Sequence, residues 1–218
     1  MTDPDERARQ LAAESPDATA WFERLYAEAQ SGDAVVPWDV ADPHFLLTDW
    51  ARGRTLDGSG RRALVVGAGL GRDAEFIAGF GFDITAFDIS PSAIGSAQQR
   101  HDGSAVHYHV ADLFKPPAEC RHAFDLVVES LTVQALPVAE RGLAIAQVPR
   151  FVAPGGTLLV IAAGRETPPG EGPPWLLGRA EVEAFAADGV EPVHIAQIRD
   201  PADRTSLRWQ AEFRRPTV

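Results

Sequence analysis

From Arg62 onward, apolar runs of strand length alternate with stretches of helical spacing. Residues 63–66, 82–87, 106–110, 124–129 and 157–162 are short runs rich in Val, Ile, Leu and Phe, the pattern of buried strands. Between them, 72–79 has the spacing of a helix, and Ser90 followed by Pro91 opens another. Serine there accepts a first-turn N–H, and proline at the first helical position gives up no bond. Residues 136–152 predict a third helix, kinked late by Pro149. Pro154-Gly155-Gly156 predicts a tight turn into the fifth strand.

After a helix predicted at 179–187, residues 190–198 and 205–213 read as two strands in direct succession. They are joined by Asp200-Pro201-Ala202-Asp203, which makes an antiparallel hairpin the simplest arrangement. Strands alternating with helices and finishing in a hairpin predict a mostly parallel sheet with one antiparallel strand, covered on both faces.

Upstream the pattern is helical. Residues 1–15 are charged and alanine-rich and predict a frayed or surface helix. Asp17 caps a helix predicted at 18–30, where Trp21, Phe22, Leu25 and Tyr26 fall on one face. An extended segment at 35–39 follows, and Pro43 and His44 then open a helix through Leu46, Leu47 and Trp50. The loop 164–174, dense in proline and glycine, is the segment expected to be mobile.

Composition narrows the classes. A chain of 218 residues, 45% hydrophobic, is enough for one globular domain with a sizeable core. A net charge of −11 argues against a nucleic-acid partner, which needs clustered Lys and Arg. The single cysteine, Cys120, allows no internal disulfide, fits a reducing cytoplasm, and reads as a free thiol rather than a nucleophile. The N-terminus lacks the pattern of a signal peptide, and no apolar run reaches the ~20 residues of a membrane span. A cytoplasmic protein is the expectation.

The candidate chemistry begins at Gly67-Ala68-Gly69-Leu70-Gly71, between the first strand and its helix. Glycine serves where a turn needs positive φ or where backbone must approach a ligand closely. Ligands of an open α/β sheet bind beyond the carboxyl ends of its strands. Three further strand ends carry polar residues: Asp88-Ile89, Asp112-Leu113 and Glu129-Ser130. Asp88 lies about 20 residues past the glycines, where a carboxylate accepts hydrogen bonds from both ribose hydroxyls. Asp112 is placed to accept from an adenine amino group, with Leu113 offering backbone N–H or apolar contact. Alone, Asp88 reads equally as a cap for the next helix. A dinucleotide turn wants glycine at its sixth position, where this chain has Arg72.

The set Val65-Val66-Gly67-Ala68-Gly69-Leu70-Gly71, Asp88-Ile89-Ser90, Asp112-Leu113-Phe114, Phe124-Asp125-Leu126-Val127-Val128 and Ala153-Pro154-Gly155-Gly156-Thr157 resembles the motif series of class I S-adenosylmethionine-dependent methyltransferases. The resemblance spans about half the chain. It implies a Rossmann-like seven-stranded sheet in the order 3-2-1-4-5-7-6 and S-adenosylmethionine as cofactor, with Gly67, Gly69 and Gly71 against its methionyl part and Asp73 beside its amino group. Ser130 and Thr132 would contact cofactor or acceptor.

A finer resemblance, to the thiopurine, thiol and halide methyltransferases, rests on Phe22-x-x-x-Tyr26, Pro37-Trp38-Asp39, Gly71-Arg72-Asp73, Gly172-Pro173-Pro174-Trp175 and Asp200-Pro201. It implies that Phe22, Tyr26 and Trp38 fold over the cofactor. One domain is expected, with residues 1–55 as a helical lid and 60–218 as the α/β core. Phe22 and Tyr26 stand where the plant enzymes have tryptophans, and Ser130 where they have tyrosine, so thiol or halide specificity does not follow. The same aromatic face also reads as that of an ordinary packed amphipathic helix.

Methyl transfer from a sulfonium is an in-line displacement, for which the protein supplies alignment and exclusion of water. Hydroxyl or amine acceptors also want a base. Glu129 is the candidate for that role and for cofactor contact, and reads more readily as a structural carboxylate bonded to backbone. His107 and His109 share a strand face, but no third ligand accompanies them and no metal is expected. The acidic charge and the absence of an Asn/Asp-Pro-Pro-aromatic run after the fourth strand favour a small-molecule acceptor, with the protein a monomer or homodimer. Two alternatives stay open: a non-catalytic cofactor-binding protein of the same fold, and a nucleotide-dependent oxidoreductase.

Overall fold

The apolar run containing Val65 and Val66 pairs in parallel on both sides, Val65 beside Ala86 of one neighbour and Val128 of the other. A strand enclosed in this way has no wet face, which is why its sequence is continuously apolar rather than alternating. The computed structural model describes residues 4–166 and 172–217. Its strands are β1 (Arg62–Val66), β2 (Asp83–Asp88), β3 (His107–Val110), β4 (Phe124–Ser130), β5 (Val152–Gly164), β6 (Glu191–Arg199) and β7 (Leu207–Arg214). They form one sheet in the order β3-β2-β1-β4-β5-β7-β6, with β7 antiparallel to both its neighbours. The expected topology is the observed one.

The helices are α1 (Pro4–Glu14), α2 (Ala20–Ser31), α3 (Phe45–Arg52), α4 (Arg72–Ala78), α5 (Pro91–Arg100), α6 (Val138–Gln147) and α7 (Arg179–Glu183). Alternate residues of each central strand divide between two cores. Leu64, Val66, Val127, Leu158 and Val160 join Ala144 and Ile145 of α6 on one face. Ala63, Val65, Leu126, Val128 and Leu159 join α3, α4 and α5 on the other. Each such fully buried Val or Leu contributes about 1.5–3 kcal/mol before entropy is charged against it.

A third cluster lies over the carboxyl ends of the strands, where Leu11, Trp21, Leu25, Tyr26 and Val36 pack together with Ala93 of α5. The first helix is therefore not frayed. Ala8 and Leu11 are buried against α2, and Arg7 donates from Nε to Glu28 at 2.7 Å. In α2, Glu23 accepts from Ser90 Oγ at 2.6 Å and Ser92 Oγ at 2.7 Å, which anchors the N-terminal helices to the start of α5. Asp17 does its capping from outside α2, its Oδ1 accepting from Thr19 N and Ala20 N.

Three boundaries differ from expectation for local reasons. Pro149 has no N–H to continue the α ladder, so the helix predicted at 136–152 ends at Gln147 and passes into a 3₁₀ turn, Val148–Phe151. The Pro154-Gly155-Gly156 turn is absorbed inside β5 as a bulge: between 152 and 157 its partner β4 advances only from 124 to 126. Gly155 takes φ of 76°, and a Cβ on Gly156 would lie 2.9 Å from the Phe124 carbonyl oxygen. The helix predicted at 179–187 stops at Glu183. Residues 167–171 of the loop expected to be mobile lie outside the described residues. After them, Trp175 N donates to the Gln134 carbonyl at 2.8 Å.

Candidate functional site

The carboxyl ends of β1, β2 and β4 and the turn after β3 open into a cavity of about 280 Å³, closed from above by α1, α2 and the segment around Trp38. Its floor is set by the turn after β1. Gly67 (φ 61°) and Gly69 (φ 53°) both take left-handed backbone, and each does so against a neighbour. A Cβ on Gly67 would lie 2.4 Å from Thr132 Cγ2, and Thr132 Oγ1 donates to the Val66 carbonyl at 2.9 Å. A Cβ on Gly69 would lie 2.8 Å from the Tyr26 hydroxyl. The turn is thus clasped by the loop after β4 on one side and by the lid on the other.

Asp88, 7% exposed, stands at the end of β2 and holds this turn. Its Oδ2 accepts from Gly69 N at 2.9 Å and its Oδ1 from Ser90 N at 3.0 Å. Burial pushes its pKa up, and those backbone donors pull against that shift. Asp112 Oδ1 accepts from Phe114 N, which presents the residue at the cavity wall beside Leu113. Asp73 Oδ1 accepts from His44 N at 3.0 Å and Arg72 Nε at 3.1 Å, so it also fastens the start of α3.

Above the turn, Tyr26 Oη accepts from Trp38 Nε1 at 2.7 Å, and the two rings meet edge to face at 6.1 Å. Burial and the nearby Asp88 carboxylate hold the Tyr26 phenol protonated, well above its ordinary range. Phe22 stacks on Trp21 with centroids 3.9 Å apart and faces the cavity from α2.

Eleven of the expected residues meet around this cavity: Phe22, Tyr26, Trp38, Gly67, Gly69, Asp73, Asp88, Ile89, Asp112, Leu113 and Ser130. Two do not. Gly71 faces away, where a Cβ would lie 2.3 Å from the Tyr108 hydroxyl; its left-handed φ of 88° starts α4 and lets β3 pack beneath it. Glu129 is fully buried behind the cavity wall. Its Oε1 accepts from Thr132 N and Val133 N, both at 2.9 Å, while Oε2 has no partner among the described residues. Burial pushes its pKa up to about 7. The geometry is that of the structural carboxylate, because the 3₁₀ turn Val133–Ala135 folds over its side chain.

Among the other lining residues, Asp5 and Ala8 of α1 and Gln134 went unread in the sequence, and Pro173-Pro174 entered only through the finer resemblance, with no role at the site. Pairing Arg141 with Glu181 would have needed contact over 40 positions, yet it braces that proline wall. Arg141 donates from Nη1 to Glu181 at 2.7 Å, from Nη2 to the Trp175 carbonyl and from Nε to the Leu136 carbonyl. Among the described residues no three His, Cys, Asp or Glu gather as a metal-ligand set, and no helix is long and apolar enough to cross a membrane.

The donor set fits a nucleoside-bearing cation. Five aspartates (5, 39, 73, 88 and 112) border the cavity against one arginine, Arg72, which is itself paired to Asp73. Glycine backbone without Cβ atoms, a buried acid at the second strand end and an aromatic roof complete the arrangement. With this sheet order, these features match the Rossmann-like fold of methyltransferases.

Residues 63–156 match the family model described as a methyltransferase domain. No curated protein matches the chain in sequence. Among solved structures, a SAM-dependent methyltransferase from Anabaena variabilis superposes with a TM-score of 0.70 at 15% identity, covering 99% of this chain and 98% of that one. The 1,6-didemethyltoxoflavin-N1-methyltransferase of Burkholderia thailandensis, solved with 1,6-didemethyltoxoflavin and S-adenosylhomocysteine, gives 0.67 at 17% identity, with 99% and 92% covered. The N-methyltransferase NodS of Bradyrhizobium japonicum, in complex with S-adenosylhomocysteine, gives 0.65 at 20% identity, with 89% and 99% covered.

Proposed function

We propose that the chain methylates a small-molecule nucleophile enclosed beneath its N-terminal helices, with residues 1–55 acting as a lid on a single domain. The observation that carries this reading is Asp88, a buried carboxylate that spends two hydrogen bonds on the glycine turn and on α5 yet still borders the cavity. A carboxylate has about four lone-pair sites, so two hydroxyls of a ribose find acceptors there.

On this reading Asp112 takes the adenine amino group, Ile89 and Leu113 flank the ring, and the backbone at Gly67 and Gly69 meets the methionyl part near Arg72 and Asp73. Tyr26, Trp38 and Phe22 cover the site, with Ser130 at its far wall. When bound, S-adenosylmethionine supplies a methyl group already activated by its sulfonium charge. Aromatic faces attract such a cation by ~0.5–2 kcal/mol, and the five aspartates add to that field.

Glu129 lies outside the cavity, and no His, Lys, Cys or Glu is among the described lining residues. The acceptor then enters as a competent nucleophile or gives its proton to one of the lining aspartates. The aromatic N-terminus supports the thiol, thiopurine and halide group, whereas the acidic lining favours an uncharged acceptor over an anion such as halide. The heterocycle named for the Burkholderia protein supports a ring nitrogen or oxygen as the methylated atom here. A nucleic-acid partner fits neither the charge nor the enclosure.

The test has two stages. Calorimetry should show S-adenosylhomocysteine binding and thermal stabilisation, both lost on Asp88→Ala. Radiolabelled methyl transfer should then appear with some member of a panel of thiols, halides, phenols and heterocyclic amines. Absence of any binding or stabilisation by S-adenosylhomocysteine would sink the reading.

A further inference from the structure

One cavity-lining amide is committed at one end and open at the other. Gln134 sits in the 3₁₀ turn Val133–Ala135 after β4 and is 6% exposed. Its backbone carbonyl accepts from Trp175 N at 2.8 Å, and its side-chain Oε1 accepts from Ala163 N of β5. The second bond fixes which way the amide faces, since a flipped group would set N–H against N–H.

The two N–H donors on Nε2 have no partner among the described residues. Nor is this nitrogen one of the sealed polar atoms, which are Ser15 Oγ, Trp21 Nε1, Glu129 Oε2 and Ser130 Oγ. Gln134 borders the same cavity as Phe22, Leu136, Pro173 and Pro174, and its carbonyl ties it to the start of the Pro173-Pro174-Trp175 segment. A donor on so buried a residue, open to the cavity and unanswered by protein, is unfavourable until something with a lone pair meets it.

We infer that Gln134 selects the methyl acceptor, donating from Nε2 to a carbonyl oxygen or unprotonated ring nitrogen of an uncharged, flat heterocycle that lies between Phe22 and Pro173-Pro174. The assignment rests on the methyltransferase reading above and deepens it. Three features converge on that chemistry. The donor cannot be satisfied by hydrocarbon or by an ammonium group. The neighbouring walls, Phe22, Leu136, Pro173 and Pro174, are apolar. The cavity carries five carboxylates and a single, already paired arginine, so an anionic acceptor is repelled. Sites built to hydrogen-bond a substrate reject the analogue that lacks the partner, because the buried group is then left unpaired.

The test uses the full chain saturated with S-adenosylhomocysteine and reads fragment binding by ligand-observed NMR, with quinoline and 2-quinolone each compared with naphthalene. The wild type should prefer the heterocycles by about tenfold, the ratio one well-made hydrogen bond confers. Gln134→Glu keeps an oxygen for Ala163 N but replaces the donors with acceptors. It should bind S-adenosylhomocysteine as the wild type does and lose the preference. Gln134→Leu removes both ends, and a drop in its melting temperature alone would report only the lost Ala163 bond. Equal binding of naphthalene by the wild type, or an unchanged preference in Gln134→Glu, overturns the assignment of Gln134 while leaving cofactor binding intact. Failure of the wild type to bind S-adenosylhomocysteine defeats the underlying reading instead.

Discussion

The hydroxyl of Tyr26 lies 2.8 Å from the point where a Cβ on Gly69 would stand. A residue of the second helix thus determines what the glycine turn can tolerate. Gly69→Ala adds a clash to the cost of left-handed backbone, about 1–2 kcal/mol by itself. Tyr26→Phe frees Trp38 Nε1 from its acceptor, at about 1–3 kcal/mol. In the double variant the clashing oxygen is gone, so the two losses should fall short of additivity by about 1 kcal/mol. Urea denaturation of the four proteins measures this, and strict additivity would show that the two residues do not meet.

Asp88 and Asp83 lie at opposite ends of β2, and the same change should affect only the first. In Asp88→Asn an amide replaces one oxygen facing the Gly69 or Ser90 N–H, and affinity for S-adenosylhomocysteine should fall by about 10–100-fold. Asp83→Asn alters an exposed side chain near His107 and should leave affinity unchanged. Calorimetry on both variants separates a site effect from general loss of charge.

Glu129 gives a pH signature. Its pKa is near 7 in the folded chain against 4.5 for the free side chain, so folding favours the protonated form. That stability is fully present below about pH 4.5 and is lost as pH rises to 7, a difference of about 3 kcal/mol. Glu129→Gln keeps an oxygen for Thr132 N and Val133 N and carries no charge at any pH. Its melting temperature relative to the wild type should climb between pH 4.5 and 7. A constant offset across that range would refute the burial argument.

Arg141 is 2% exposed and bonded to Glu181, Trp175 and Leu136. Removing it in Arg141→Ala takes one of the two arginines from Glu181, which keeps Arg165, and leaves the Leu136 and Trp175 carbonyls without this donor, at about 1–3 kcal/mol for each unsatisfied group. Because these contacts brace the Pro173-Pro174 wall, KM for an acceptor should rise while affinity for S-adenosylhomocysteine stays within about twofold, less than one hydrogen bond's worth. Chemical denaturation and calorimetry give the two halves of the result, and an equal loss of both ligands would contradict it.

What the sequence disclosed and what it withheld divide along the range of the interactions. The strands, Ser90-Pro91 and the sheet order follow from local periodicity, capping and a motif series, all written within short windows. The place of Asp88 and Asp112 on the cavity was legible because strand ends in such a sheet open onto a crevice. Gly71 misled because its positive φ serves Tyr108, 37 positions away, and a glycine's reason is invisible in one dimension. For Glu129 the structural reading of the two open in the sequence is the one the geometry fits, with its Oε1 bonded to the backbone of the turn that follows it. The packing of α1 depends on α2 turning its Leu25 face inward, so composition alone made it seem loose. Gln134 and Arg141 carried no motif at all.

The bonds at Gln134 have an evolutionary consequence. Its carbonyl and its Oε1 hold Trp175 and Ala163, so a new side chain there changes recognition and folding together. Phe22 is placed differently: partly buried on α2, stacked on Trp21, with no hydrogen bond to lose. A lineage drifting toward a different guest molecule would find cheap variation on the roof and costly variation in the wall. The roof is where this scaffold can be retuned without being rebuilt.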